Sequence, residues 1–218
     1  MSTAAVESPA DTKQRLLRAG EELFARDGIY RARIRDINAL AGQRNSSALH
    51  YHFGSRVGLA NAIMFGHQAE IDGAVEIGLD NLEARGGEPS ARDVLSAVIP
   101  PMAARLRTDS GRDWARIIPQ MMPMVSENLR RGVLKPGTPQ SNRVLRLLRP
   151  ALRDLPEALQ RERLIDYSIA LTALLADRAH QLSGDHTPVL DDDEFTSNLV
   201  GMLTALLCTP RASPKPRA

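Results

Sequence analysis

The chain has 218 residues, enough to bury a substantial core, and a formal net charge of only +2. Its single cysteine, Cys208, excludes an internal disulfide framework and any cysteine-based metal motif. No stretch approaches the roughly 18 apolar residues of a membrane span, and MSTAAVESPADTK has no basic segment leading into an apolar one, so a cytoplasmic chain with no membrane partner is expected.

The ends, residues 1–10 and 209–218, are rich in Ser, Pro and Ala and are expected to be disordered tails. Between them apolar residues recur at helical spacing and β-branched residues rarely alternate with polar ones, which predicts an all-α fold. A first helix is expected from Asp11 or Thr12 to Arg26, with Leu16, Ala19, Leu23 and Phe24 on one stripe and Asp27-Gly28 ending it. A short second helix from Arg33 to Leu40 buries Ile34, Ile37 and Ala41. Gly42 follows as a turn, and residues 45–52 return to helical spacing through Ala48, Leu49 and His52. After Phe53-Gly54, Ser55 is placed to cap a long fourth helix carrying Leu59, Ile63, Phe65, Ile71, Val75 and Leu79, stopping at Gly86-Gly87.

Later helices are expected at 90–107, 111–131, 139–153, 157–182 and 191–208, separated by GGEPS, KPGTPQ and SGDHTP. Pro100, Pro101, Pro119 and Pro123 fall inside helical patterns and predict kinks or short breaks. In the last helix Asp191 and Glu194 form a capping box.

The chemistry concentrates near the front. From Arg31 to Arg56 there are five Arg and one acid, Asp36, a local positive surface that suits an anionic partner such as nucleic acid. A short helix, a turn at Gly42 and a second short helix match the helix-turn-helix motif, whose second helix enters the major groove. Arg44 suits guanine or a phosphate, Asn45 suits adenine, and Ser46 and Ser47 can serve either bases or phosphates. Tyr51 and Arg56 follow where they can clamp the backbone, and the first N–H groups after Ser55 favour a phosphate. His50 and His52 sit two residues apart, on different helix faces, with no carboxylate or thiol nearby, so a metal site is not expected. Ser55 lies in no nucleophile elbow, and the chain has no catalytic triad or phosphate loop; neither an enzyme nor a cofactor is expected.

The block from about Thr12 to Met64 resembles the N-terminal domain of TetR-type (tetracycline-repressor-like) transcriptional regulators. The matching residues are Leu23-Phe24, Asp27-Gly28, Arg35 to Ile37, Ala41-Gly42 and, most specifically, YHFGSR-x-GL at Tyr51 to Leu59. The resemblance implies a recognition helix over about Asn45 to Tyr51, with Tyr51, His52 and Arg56 at backbone-contacting or helix-junction positions. It further implies a homodimer reading a palindromic operator in double-stranded DNA and a C-terminal helical domain that binds a small molecule and releases DNA. Between Gly42 and Phe53 this chain has QRNSSALHYH, one residue more than the common family pattern, so the turn is expected to be widened. Asn38 replaces a small apolar residue. Ala32 and Arg33 replace the usual cap of the second helix, which leaves Arg33 to reach a phosphate.

The expected organisation is therefore a helix-turn-helix domain at 11–56, joined through the long fourth helix to a ligand-binding and dimerisation domain at 57–208. Phe65, Met102, Trp114 and Met121 are the candidate ligand residues, and their periodicity alone reads more simply as helical core. In the last two helices the apolar residues Ile165, Ile169, Leu171, Leu174, Leu175 and Leu182, and Phe195, Leu199, Val200, Met202, Leu203, Leu206 and Leu207, spread too widely for one stripe. A partner subunit covering the second side is expected. The rival readings are an enzyme on a helical scaffold and a helical interaction protein that does not touch DNA.

Overall fold

Local capping fixes where most of the helices begin. In a computed structural model of the chain, which describes residues 9–45, 47–131, 138–184 and 187–210, the regular structure is entirely helical. In order it comprises α1 (Pro9–Asp27), α2 (Ile34–Leu40), α3 (Ala48–Phe53), α4 (Arg56–Ala84), α5 (Ala91–Ala104) continued by a 3-10 turn (Arg105–Arg107), α6 (Asp109–Arg130), α7 (Pro139–Leu152), α8 (Glu157–Gln181) and α9 (Asp192–Cys208). Ser55 Oγ accepts the Gly58 N–H at 2.9 Å, as the sequence predicts. Asp191 and Glu194 form the expected capping box, and a second box that the sequence reading passed over, Ser90 with Asp93, opens α5.

Three expectations are corrected. α1 begins at Pro9, inside the segment assigned to the tail, because proline is well suited to the first helical position. Helix resumes after the Gly42 turn at Ala48 rather than Asn45. Of the kinks or short breaks expected at the four interior prolines, the breaks do not occur, since α5 runs through Pro100 and Pro101 and α6 through Pro119 and Pro123. Val94, Leu95, Val98 and Ile99 are buried along α5 and Trp114, Ala115, Ile117, Ile118 and Met122 along α6, and that packing outweighs a penalty of about 3 kcal/mol for each interior proline. Of the expected tails, residues 1–8 and 211–218 lie outside the described residues.

The apolar residues form two cores. One joins α1, α2 and α3 with Leu59, Ala60 and Ile63 of α4 and Ile117 of α6; the other joins the rest of α4 with α5 to α9. The 29-residue α4 spans both, a length of about 44 Å. Its buried residues Leu59, Ile63, His67, Ile71, Val75 and Leu79 recur every four positions. Each step of four overshoots one helical turn by about 40°, so five steps rotate the buried face by about 200°, from the first core to the second. Phe65 lies off this path and is 66% exposed. His67, the one polar member, falls where the two cores meet.

Candidate nucleic-acid interface and its link to an internal cavity

The helix-turn-helix unit is held from inside by apolar contacts and leaves its polar residues outside. Ile37, Ala41, Ala48 and Leu49 are buried against α1 and α4. The connection between α2 and α3 runs over residues 41–47, against about 3–4 residues in the usual motif. Gly42, at φ +70°, makes the reversal that a residue with a side chain disfavours. The Gln43 N–H then donates to the Asn38 carbonyl at 2.8 Å, and Asn45 Oδ1 accepts the Ser47 N–H at 2.9 Å. These bonds turn the extra residue into an ordered bend and delay α3 to Ala48. Arg44 and Asn45 consequently stand in the bend before α3, not on it, and both are exposed.

On α3 itself the outward residues are His50 and Tyr51, the latter 82% exposed. The His50 Nδ1–H donates to the Gly54 carbonyl at 3.0 Å, so Nε2 is the ring nitrogen not engaged in that bond. His52 is half-buried and makes a T-shaped contact with the Tyr51 ring at 5.0 Å between centroids. Ser47 precedes α3 and is exposed, while Ser46 lies outside the described residues. Arg33 begins α2 without making a side-chain cap, and among the described residues neither it nor Arg44 has a carboxylate at ion-pair distance. Arg35 is instead paired with Asp36 at 3.1 Å.

Arg56 has a more structural position than the sequence suggests. Its Nη1 donates to the Tyr30 carbonyl at 2.7 Å, tying the start of α4 to the connection between α1 and α2. Tyr30, 70% exposed beside that bond, is a surface residue that the sequence reading did not single out; an aromatic within the basic run IYRAR was the available signal. Gly58 explains part of the YHFGSR-x-GL string physically. A Cβ at that position would stand 2.0 Å from the Phe53 carbonyl oxygen, so only glycine permits so tight a turn from α3 into α4. Among the described residues no group of three or more His, Cys, Asp or Glu side chains is placed to hold a metal ion.

A cavity of about 540 Å³ lies among α4, α5, α6, α7 and α8. Its wall is mostly aliphatic, including Ile71, Val75, Val98, Val125, Val144 and Leu171, with polar groups at Gln68, Asp72, Gln140, Ser141, Arg161, Tyr167 and Ser168. Burial pushes the Tyr167 hydroxyl well above the usual phenol range, so it stays protonated. Met102 lines the cavity. Trp114 and Met121 do not: Trp114 is buried beside His67, and Met121 packs on the N-terminal core. With Phe65 exposed, the four candidates do not converge.

Between cavity and helix-turn-helix lies a buried polar junction. His67 hydrogen-bonds Glu21 of α1 through Nε2, and Arg105 Nη2 donates to His67 Nδ1 at 2.8 Å. Because guanidinium can only donate, Nδ1 is the unprotonated nitrogen and the Nε2–H points to the carboxylate. Glu21 also accepts from Arg18 and from Ser110 of α6, each at 2.8 Å, and the His67 ring stacks on Trp114 at 5.5 Å. Burial pushes the Glu21 carboxyl up, but hydrogen bonds from His67, Ser110 and Arg18 outweigh it and hold the group below the usual carboxylate range. Farther along α6, Gln120 accepts the Ile29 N–H at 2.8 Å and donates to the Phe24 carbonyl at 3.2 Å, so α6 holds the C-terminal part of α1 and the residues just after it at two places. The same helices reach the cavity. Gln68 adjoins His67 on α4, Met102 is one turn before Arg105, and Val125 and Leu129 lie on α6.

No protein-family model matches the chain, and no curated protein matches it. Among solved structures, one described as the molecular basis for control of antibiotic production by a bacterial hormone is similar over 88% of this chain and 95% of its own, with 21% identity and a TM-score of 0.48. A "probable transcriptional regulatory protein" is similar over 93% of this chain and 100% of its own, with 18% identity and a TM-score of 0.48. A TetR-family regulator from Streptomyces coelicolor is similar over 91% of this chain and 95% of its own, with 15% identity and a TM-score of 0.46.

Proposed function

We propose that the chain is a one-component transcriptional repressor of the TetR type, a homodimer that binds a palindromic operator and is released by a small molecule held in the cavity. The observation that carries this reading is the outward face of the helix-turn-helix unit. Arg44, Asn45, Ser47, His50 and Tyr51 stand exposed on a scaffold whose other side is sealed by apolar packing. In this reading Arg44 and Asn45 meet base edges or phosphates from the bend, His50 and Tyr51 enter from α3, and Arg33 holds a phosphate. Arg56 acts by fixing the Tyr30 segment against α4.

Dimerisation through α8 and α9 is supported by Ile169, 37% exposed, and Met202, 48% exposed, on faces turned away from their own core. Paired recognition helices would then reach successive major grooves roughly 34–36 Å apart. Ligand response is supported by α4 and α6, each of which touches both the cavity and α1. An occupant that favours a different arrangement of these helices lowers DNA affinity by its differential affinity for the two states. Footprinting on the DNA upstream of the protein's own gene tests the reading. Two protected half-sites about one helical turn apart are expected; protection no stronger than on unrelated DNA would sink it.

A further inference from the structure

The cavity has an uneven charge. Gln68, Ile71, Asp72 and Val75 occupy one face of α4 and form one wall. Asp72 is half-buried there, and Gln68 Nε2 donates to its Oδ1 at 2.7 Å. Among the described residues no cation lies within ion-pair distance of this carboxylate. The other charged lining residue, Arg161, sits half in solvent and is paired with Glu157 at 3.1 Å. Two of the polar groups within the cavity are engaged locally, Ser168 Oγ with the Leu164 carbonyl at 2.8 Å and Ser141 Oγ with Thr138 Oγ1 at 2.9 Å. The Tyr167 hydroxyl remains neutral.

An apolar molecule that filled this space would strip water from Asp72 and leave it with one amide for company, which is unfavourable. An anionic molecule would add repulsion in a region of low dielectric. We infer that the cavity takes a lipophilic cation: an aliphatic or aromatic body packed on the valine and leucine walls, with an ammonium donating to Asp72. This inference rests on the reading of the cavity as the effector site, and it adds the chemistry of the effector.

A matched series isolates the head group: decylammonium, decanol and decanoate, each below its micellar concentration, titrated calorimetrically into the full chain and into Asp72→Asn. Circular dichroism checks that both proteins stay folded at the concentrations used. In the wild type decylammonium should bind about tenfold or more tightly than decanoate, with decanol between them. In Asp72→Asn the three should fall within about threefold of one another, because the tails are identical. Decanoate binding as tightly as decylammonium in the wild type, or an unchanged ranking in Asp72→Asn, would overturn the charge inference while leaving the cavity as an apolar site. Binding by none of the three would overturn both. If decylammonium binds with the expected ranking yet leaves operator affinity unchanged, the ligand class stands and the effector role falls.

Discussion

Replacing His67 with leucine removes the centre of the junction between α1, α4, α6 and the 3-10 turn without leaving a large void. Leucine cannot donate to Glu21 or accept from Arg105, and both partners are largely withdrawn from water: the Glu21 and Arg105 side chains are 7% and 22% exposed. Glu21 keeps Arg18 and Ser110, so the variant strands no bare carboxylate, and the full 3–5 kcal/mol of a broken buried pair is not expected. A lost hydrogen bond to a charged group, about 1.5–3 kcal/mol, is the better measure. Allowing for the apolar contacts that leucine gains against Trp114, the net loss should be about 2 kcal/mol. With a urea slope of about 2 kcal/mol/M, the unfolding midpoint falls by about 1 M. Trp114 is the only tryptophan and stacks on this ring, so its emission reports the transition. Protein concentration must be matched, because the proposed dimerisation would contribute to apparent stability. A cycle with Glu21→Gln should give a coupling of about 1–2 kcal/mol. A midpoint shift below about 0.2 M, which at that slope is under 0.5 kcal/mol, would refute the junction as a stabilising network.

Further expectations concern the same elements. Glu21 is held below the usual carboxylate range in the folded chain. Its contribution is therefore complete above the unfolded value, about pH 4–5, and is lost as pH falls through the folded value; Glu21→Gln should flatten that acid limb in a stability-versus-pH series. Gly58→Ala would place a Cβ 2.0 Å from the Phe53 carbonyl oxygen, so thermal denaturation should show a loss of about 1–3 kcal/mol, and a melting temperature equal to wild type would contradict the tight turn. Tyr51→Ala, at a residue 82% exposed, should leave the melting temperature within about 1 °C of wild type while weakening binding to all DNA sequences in gel-shift titrations. Arg56→Ala should lower both, because the bond to the Tyr30 carbonyl is structural as well as adjacent to the proposed interface.

The helical register was legible because burial at three- and four-residue spacing is a periodic signal. Expected and observed ends of α4 to α9 accordingly agree closely, helped by Ser55, Asp191 and the glycines at 86 and 87. The turn length was legible only as one residue too many. Where that residue goes depends on Asn45 Oδ1 capturing the Ser47 N–H, a local competition between side chain and helix that composition does not decide. Phe65 was placed on the buried stripe by hydrophobicity, whereas strict four-residue spacing from Ile63 selects His67; a buried histidine becomes plausible only once Glu21 and Arg105 are seen to meet it. Periodicity alone reads Trp114 and the methionines as helical core, and only the family resemblance offers them as ligand residues; Trp114 and Met121 are indeed core, because large apolar residues fit a cavity and a core equally well. The cavity is instead bounded largely by valine and leucine from five helices, which no single segment of sequence brings together.

The proposed DNA contact is made by exposed arginine on the helix-turn-helix unit that has no carboxylate at ion-pair distance among the described residues. Its most direct test is the salt dependence of affinity for footprinted upstream DNA, measured for the wild type and for Arg44→Ala. The account predicts a clearly negative slope of log affinity against log salt for the wild type, made shallower by about 1 in the variant. A wild-type slope near zero, or a slope that Arg44→Ala leaves unchanged together with unchanged affinity, would contradict it.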